Sequence, residues 1–136
     1  MSFTYNDYRK LMTLLRDNGY AFANYHNFAE HKRCVIMRHD VDNSLPQAVR
    51  MAELEAENGV QSTFFVLLRT DFYNVASASA QKMLRRILAL GHEIGLHFDE
   101  KAYEGGDAED MIRRILREKD ILSALLDTEV TTVSMH

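Results

Sequence analysis

Tyr8, Leu11, Met12 and Leu15 recur at spacings of three and four, and this predicts an amphipathic helix from Thr4 to about Asn18. Asn18-Gly19 closes it as helix ends are commonly closed. From Tyr20 to Arg33 the chain is aromatic and polar without either period, and reads as a loop with one turn of helix. His26 and His31 are expected to face solvent there. A short apolar run, Cys34-Val35-Ile36-Met37-Arg38, then empties into His39-Asp40-Val41-Asp42-Asn43, the pattern of a buried strand ending in a polar loop. Ser44 suits an N-cap and Pro46 the first turn of a helix that runs through Val49, Met51 and Leu54 to Asn58-Gly59.

Ser62 to Leu68 gives a second strand, and about Ala80 to Leu90 a third helix ended by Gly91. His92 to His97 gives a third strand. A loop with Gly105-Gly106 leads to a fourth helix, Ala108 to about Leu126, whose positions Met111, Ile112, Ile115, Leu116, Leu122 and Leu125 form an apolar stripe expected to pack in the core. Val130 to His136 reads as a fourth strand. Strands alternating with helices imply an α/β fold with a parallel sheet and right-handed crossovers.

The 136 residues fit a single domain, 1–136. The chain stops in mid-strand directly after a histidine, so the domain is expected to be incomplete at its C-terminus. Otherwise its open sheet edges are closed by another chain, which would make it a homo-oligomer. Apolar residues at 46% and charged residues at 26% are ordinary for a globular protein. A formal charge of −4, with no basic stripe, argues against nucleic acid or an anionic membrane as partner. Cys34 is alone, which rules out an internal disulfide; it reads as a buried, inert thiol. The first residues lack a basic start and an apolar core, and no apolar run approaches the ~20 residues of a membrane span, so a cytoplasmic protein is expected.

Ligands of parallel α/β sheets bind at the carboxyl ends of the strands. That edge is where the polar residues gather: His39-Asp40-Val41-Asp42 after the first strand, His97 with Phe98-Asp99-Glu100 after the third, and Ser134-Met135-His136 at the fourth. Two carboxylates and two imidazoles make a ligand set for zinc, iron, cobalt or nickel. One aspartate on the metal and one as general base is a coherent division of labour. Asp40 or Asp42 as a simple helix cap is the structural alternative, although Ser44 already supplies a cap. His39, next to Asp40, is a candidate to orient it or to contact substrate. His92, at the opposite end of its strand, reads as structural.

These residues resemble the polysaccharide deacetylases, the NodB-homology proteins. Arg38-His39-Asp40-Val41-Asp42 looks like a variant of that family's first motif, Ser62-Thr63-Phe64-Phe65 resembles its second strand, and Gly91-His92-Glu93-Ile94-Gly95-Leu96-His97 looks like its "GHEIG-x-H" segment. The resemblance runs from about Arg33 to the end. It implies the amino-terminal portion of a distorted (β/α) barrel and a divalent metal, zinc first. The reaction it implies is hydrolysis of N- or O-acyl groups on a carbohydrate. It makes Asp40 the catalytic base and Asp42 and His97 metal ligands. Two departures stand out. The position four residues after His97, where the family carries a second histidine, is Lys101, and His136 is the candidate third ligand in its place. Val41 separates the two aspartates, which the common motif has adjacent. The family's general acid comes from later barrel strands. A non-catalytic carbohydrate-binding or assembly protein, or an amidohydrolase for a small amide, are the alternatives.

Overall fold

The structure is a computed structural model that describes residues 3–136. Helix α1, Tyr5–Asp17, opens on a reciprocal cap in which the Asp7 N–H donates to Thr4 Oγ1 (3.1 Å) and the Thr4 N–H donates to Asp7 Oδ2 (2.9 Å). Its buried residues Tyr8 and Met12 pack with Leu54 and Val60 in a small satellite core.

The segment expected as a loop holds a strand. β1, Ala21–Ala23, pairs in parallel with β2, Cys34–Ile36, as a separate two-stranded sheet. The expected first strand is therefore two strands: the chain leaves β2 at Met37 and enters β3, Arg38–Val41, in the main sheet. Because β2 lies outside the main core, all three of its residues are half-buried. Cys34 is thus half-buried and not fully enclosed, a correction to the sequence reading.

The main sheet is parallel throughout, in the order β3-β4-β5-β6, with β4 Thr63–Leu67, β5 Glu93–Phe98 and β6 Val133–Met135. It curls into a half-barrel. Three helices lie between its strands in sequence: α2 Leu45–Glu57, α3 Ala78–Ala89 and α4 Ala108–Leu126. Ser44, Ser77 and Asp107 cap them, each accepting from an N–H three residues on.

Side-chain alternation divides the sheet into two faces. Val41, Phe64, Val66, Ile94, Leu96 and Phe98 form one core with Ala52, Leu84, Ile87 and Leu122 of the helices. Burial of one such large side chain contributes about 1.5–3 kcal/mol. Arg38, Asp40, Phe65, Gly95 and His97 have the opposite parity and line the concave face. Gly95 is required by close approach: a Cβ there would lie 2.6 Å from the Phe65 ring and 2.6 Å from Thr132 Oγ1.

Helix α4 buries less of its stripe than its sequence suggests. Leu122 and Leu126 are buried, but Ile112 and Leu116 are 56% and 49% exposed, since the sheet covers only part of the apolar arc. No helix among the described residues is long and apolar enough to cross a membrane.

Candidate metal centre

Parallel register sets three strand ends side by side. Leu67 of β4 pairs with His97 of β5, and His97 pairs with Ser134 of β6. Val41 ends β3 opposite Val66, so Asp42 emerges next to that row with the inward parity of Arg38 and Asp40. His136 follows β6 directly, its N–H donating to the Phe98 carbonyl at 2.8 Å.

Ligand atoms of Asp42, His97 and His136 all lie within 4.8 Å of one another. His97 Nε2 stands 3.5 Å from Asp42 Oδ1, and His136 Nε2 stands 3.7 Å from the same oxygen. Both distances exceed a hydrogen bond. Two donors each ~2.1 Å from a tetrahedral zinc lie roughly 3.4 Å apart, which is close to the spacing seen here. The Asp42 side chain is 46% exposed, but its Oδ1 atom is buried and has no hydrogen-bond partner among the described residues. A buried carboxylate oxygen facing two imidazole nitrogens and bonded to neither is poorly satisfied alone, and a divalent cation fits its chemistry. His97 is buried, and its other nitrogen, Nδ1, lies 2.8 Å from Ser134 Oγ. His136 is more exposed, with Nδ1 4.0 Å from Asp99 Oδ1.

Tyr73 holds the strand ends in this arrangement. Its hydroxyl donates to the Val41 carbonyl (2.6 Å) and accepts from the Leu67 N–H (2.8 Å), bridging β3 and β4 where their ladder ends. Burial, followed by the nearby Asp42 charge, pushes this hydroxyl up to about 12. Nothing in the sequence pattern singles out Tyr73. The cluster opens into a cleft of about 460 Å³ walled by Asn43, Arg69, Phe72 and Asp99.

The other candidates fall elsewhere. Asp40 sits one inward position before Asp42 and is held by the Arg38 guanidinium at 2.5 Å. That guanidinium lies over the Phe65 ring, 4.7 Å from its centroid, and the Asp40 carboxylate raises its pKa. His39 is not with the cluster. Its odd position in the alternation sends it to the helix side, where Nε2 lies 2.7 Å from buried Glu55 Oε1 and the ring packs on Phe64. His92 is also buried there; its Nδ1 accepts from the Ser62 N–H and its Nε2 meets the Ala52 carbonyl. Lys101 lies in an exposed 3-10 turn, Glu100–Ala102, its N–H donating to Asp99 Oδ1. Glu93, on the concave face, meets His26 at 2.8 Å and accepts from Thr132 at 2.5 Å, tying the first loop to the sheet.

No protein-family model and no curated protein matches the sequence. Solved structures do match its fold. The Streptococcus pyogenes deacetylase PplD, in complex with acetate, superposes with a TM-score of 0.72 at 14% identity over 95% of this chain and 61% of its own. IcaB from Ammonifex degensii gives 0.71 at 15% identity over 97% and 66%. A family 4 carbohydrate esterase from Bacillus anthracis gives 0.54 at 20% identity over 91% and 56%. The chain shares the half-barrel α/β fold of these structures and spans under two thirds of each of them.

Proposed function

We propose that this chain carries the metal-binding part of a hydrolase that removes N- or O-acyl groups from a carbohydrate. One observation carries the reading: Asp42, His97 and His136 converge around a buried, unpartnered carboxylate oxygen at the carboxyl ends of a parallel sheet. That such strand ends bind ligands in α/β folds, and that proteins of this fold include a deacetylase bound to acetate, supports it.

Asp42, His97 and His136 would hold a divalent ion, zinc first among zinc, iron, cobalt and nickel. Such an ion supplies Lewis acidity, polarising an acyl carbonyl and acidifying water. Asp40 is the proton acceptor in this scheme. Arg38 keeps its carboxylate aimed from two residues back on the same strand, and the guanidinium is itself braced on Phe65. In the cleft, Phe72 is 69% exposed and offers an aromatic face to a sugar ring beside the ligand cluster. His39, bonded to Glu55 behind the sheet, has a structural part.

The test is elemental analysis of the wild type and His97→Ala after equilibration with zinc, followed by deacetylation assays on acetylated oligosaccharides. About one ion per chain that disappears in the variant is the expected result. Wild-type protein that retains no ion in excess zinc would sink the reading.

A further inference from the structure

His97 and His136 face Asp42 with the same nitrogen, yet their surroundings differ. The His97 side chain is 4% exposed, and its Nδ1 has a neutral partner at 2.8 Å, Ser134 Oγ. The His136 side chain is 39% exposed, and its Nδ1 has no hydrogen bond among the described residues; Asp99 Oδ1, 4.0 Å away, already accepts from the Lys101 N–H at 3.0 Å.

A neutral imidazole carries its proton on one nitrogen and a lone pair on the other, and a serine hydroxyl can donate or accept. With the proton on Nε2, His97 would point an N–H at Asp42 Oδ1, and the pair would close to hydrogen-bond distance. The two atoms stand 3.5 Å apart, and that oxygen accepts from nothing. With the proton on Nδ1, the N–H lands on Ser134 Oγ and the Nε2 lone pair faces Asp42. Ser134 is well placed to hold it there. The Leu96 N–H donates to the Thr132 carbonyl (2.9 Å) on one side, and the His136 N–H donates to the Phe98 carbonyl (2.8 Å) on the other. The backbone is therefore fixed on both sides of the hydroxyl.

We propose that Ser134 is a positioning residue that fixes His97 in its Nδ1–H tautomer and so presets Nε2 as a ligand, while His136 is left free to adapt. The proposal rests on reading Asp42, His97 and His136 as metal ligands. Ligand histidines are commonly oriented by a hydrogen bond on the far nitrogen, and loss of that partner costs roughly 10–100-fold in affinity.

Histidine ¹⁵N shifts of the metal-free protein read the tautomer directly, and chelator competition reads zinc affinity. The expected result is Nδ1–H at His97 in wild type and a tautomer mixture in Ser134→Ala. Zinc affinity should fall by about 10–100-fold in Ser134→Ala and be restored in Ser134→Thr. Asp99→Asn should change affinity far less. An Nε2–H tautomer in wild type, or unchanged tautomer and affinity in a folded Ser134→Ala protein, would overturn the proposal. If wild type binds no zinc, the ligand reading fails, and the tautomer measurement alone still decides what Ser134 does.

Discussion

On the helix side of the sheet, Glu55 meets His39 at 2.7 Å and Ser62 at 3.2 Å, and the carboxylate is fully buried. On the concave side, Asp42 stands 3.5 and 3.7 Å from two imidazoles and touches neither. Both clusters join a carboxylate to imidazole, and each has one member on or next to β3, His39 in the first and Asp42 in the second. In the first, acid and base meet by direct contact through Glu55 Oε1, while Glu55 Oε2 has no hydrogen-bond partner among the described residues. In the second, a gap the size of a coordinated ion separates them. Spacing is what separates this contacting pair from the proposed ligand set.

Substitutions should separate the two clusters, and the largest difference belongs to the gap. His97→Ala is expected to cost more than about a hundredfold in zinc affinity, beyond the range for an indirect partner, and to abolish hydrolysis. Its metal-free melting point should hardly fall; a large fall would move His97 into the structural class. Asp40→Asn is expected to keep the ion but lower kcat by about 10²–10⁴-fold, the usual contribution of a general base. Loss of zinc in that variant would make Asp40 a ligand instead.

Glu55→Ala should do the reverse of His97→Ala. Removing one member of a buried pair costs about 3–5 kcal/mol, readable by urea unfolding, with zinc affinity of the folded fraction unchanged. Tyr73→Phe removes two bonds at the strand ends and should cost about 1–3 kcal/mol. Its pH signature has a definite sign. Unfolded tyrosine ionises near pH 10 and folded Tyr73 at about 12, so its contribution is intact below pH 10 and lost as pH rises from 10 to 12. In the phenylalanine variant the alkaline loss of stability should be shallower; an unchanged profile would assign that loss to the other buried hydroxyls. Tyr8 is the main one, raised by burial and by the charge of Glu55.

Much of this was legible in the sequence. Helix periodicity and the capping serine before Pro46 placed α2, and apolar runs placed β4 and β5. Three strands ending in Asp or His on one sheet edge pointed to Asp42, His97 and His136, and the structure brings their ligand atoms together. β1 was not legible, because three residues, Ala21–Ala23, are too short to display a period. Nor was the break at Met37, which moves Cys34 into a second sheet. The side of His39 was available from parity: if Asp40 and Asp42 face inward, the residue between His39 and Asn43 that shares their strand, Val41, faces the helices, and His39 with it. Tyr73 and Ser134 act through contacts between distant segments, and a lone tyrosine or serine carries no local mark of that.

The unpartnered oxygen of Asp42 also bears on how long the protein lasts. A buried acceptor without a donor costs about 1–3 kcal/mol, and a ligand present at a hundred times its Kd adds about 2.7 kcal/mol to the folded state. The second figure already contains any relief of the first, and alone it is a sizeable part of the stability of a typical domain. If the proposed centre holds zinc, chains deprived of it should open more often and be cleared sooner by proteases, so that abundance follows metal supply without any dedicated sensor. Proteolytic half-life with and without chelator, in wild type and in Asp42→Asn, would measure how strongly turnover depends on that single atom.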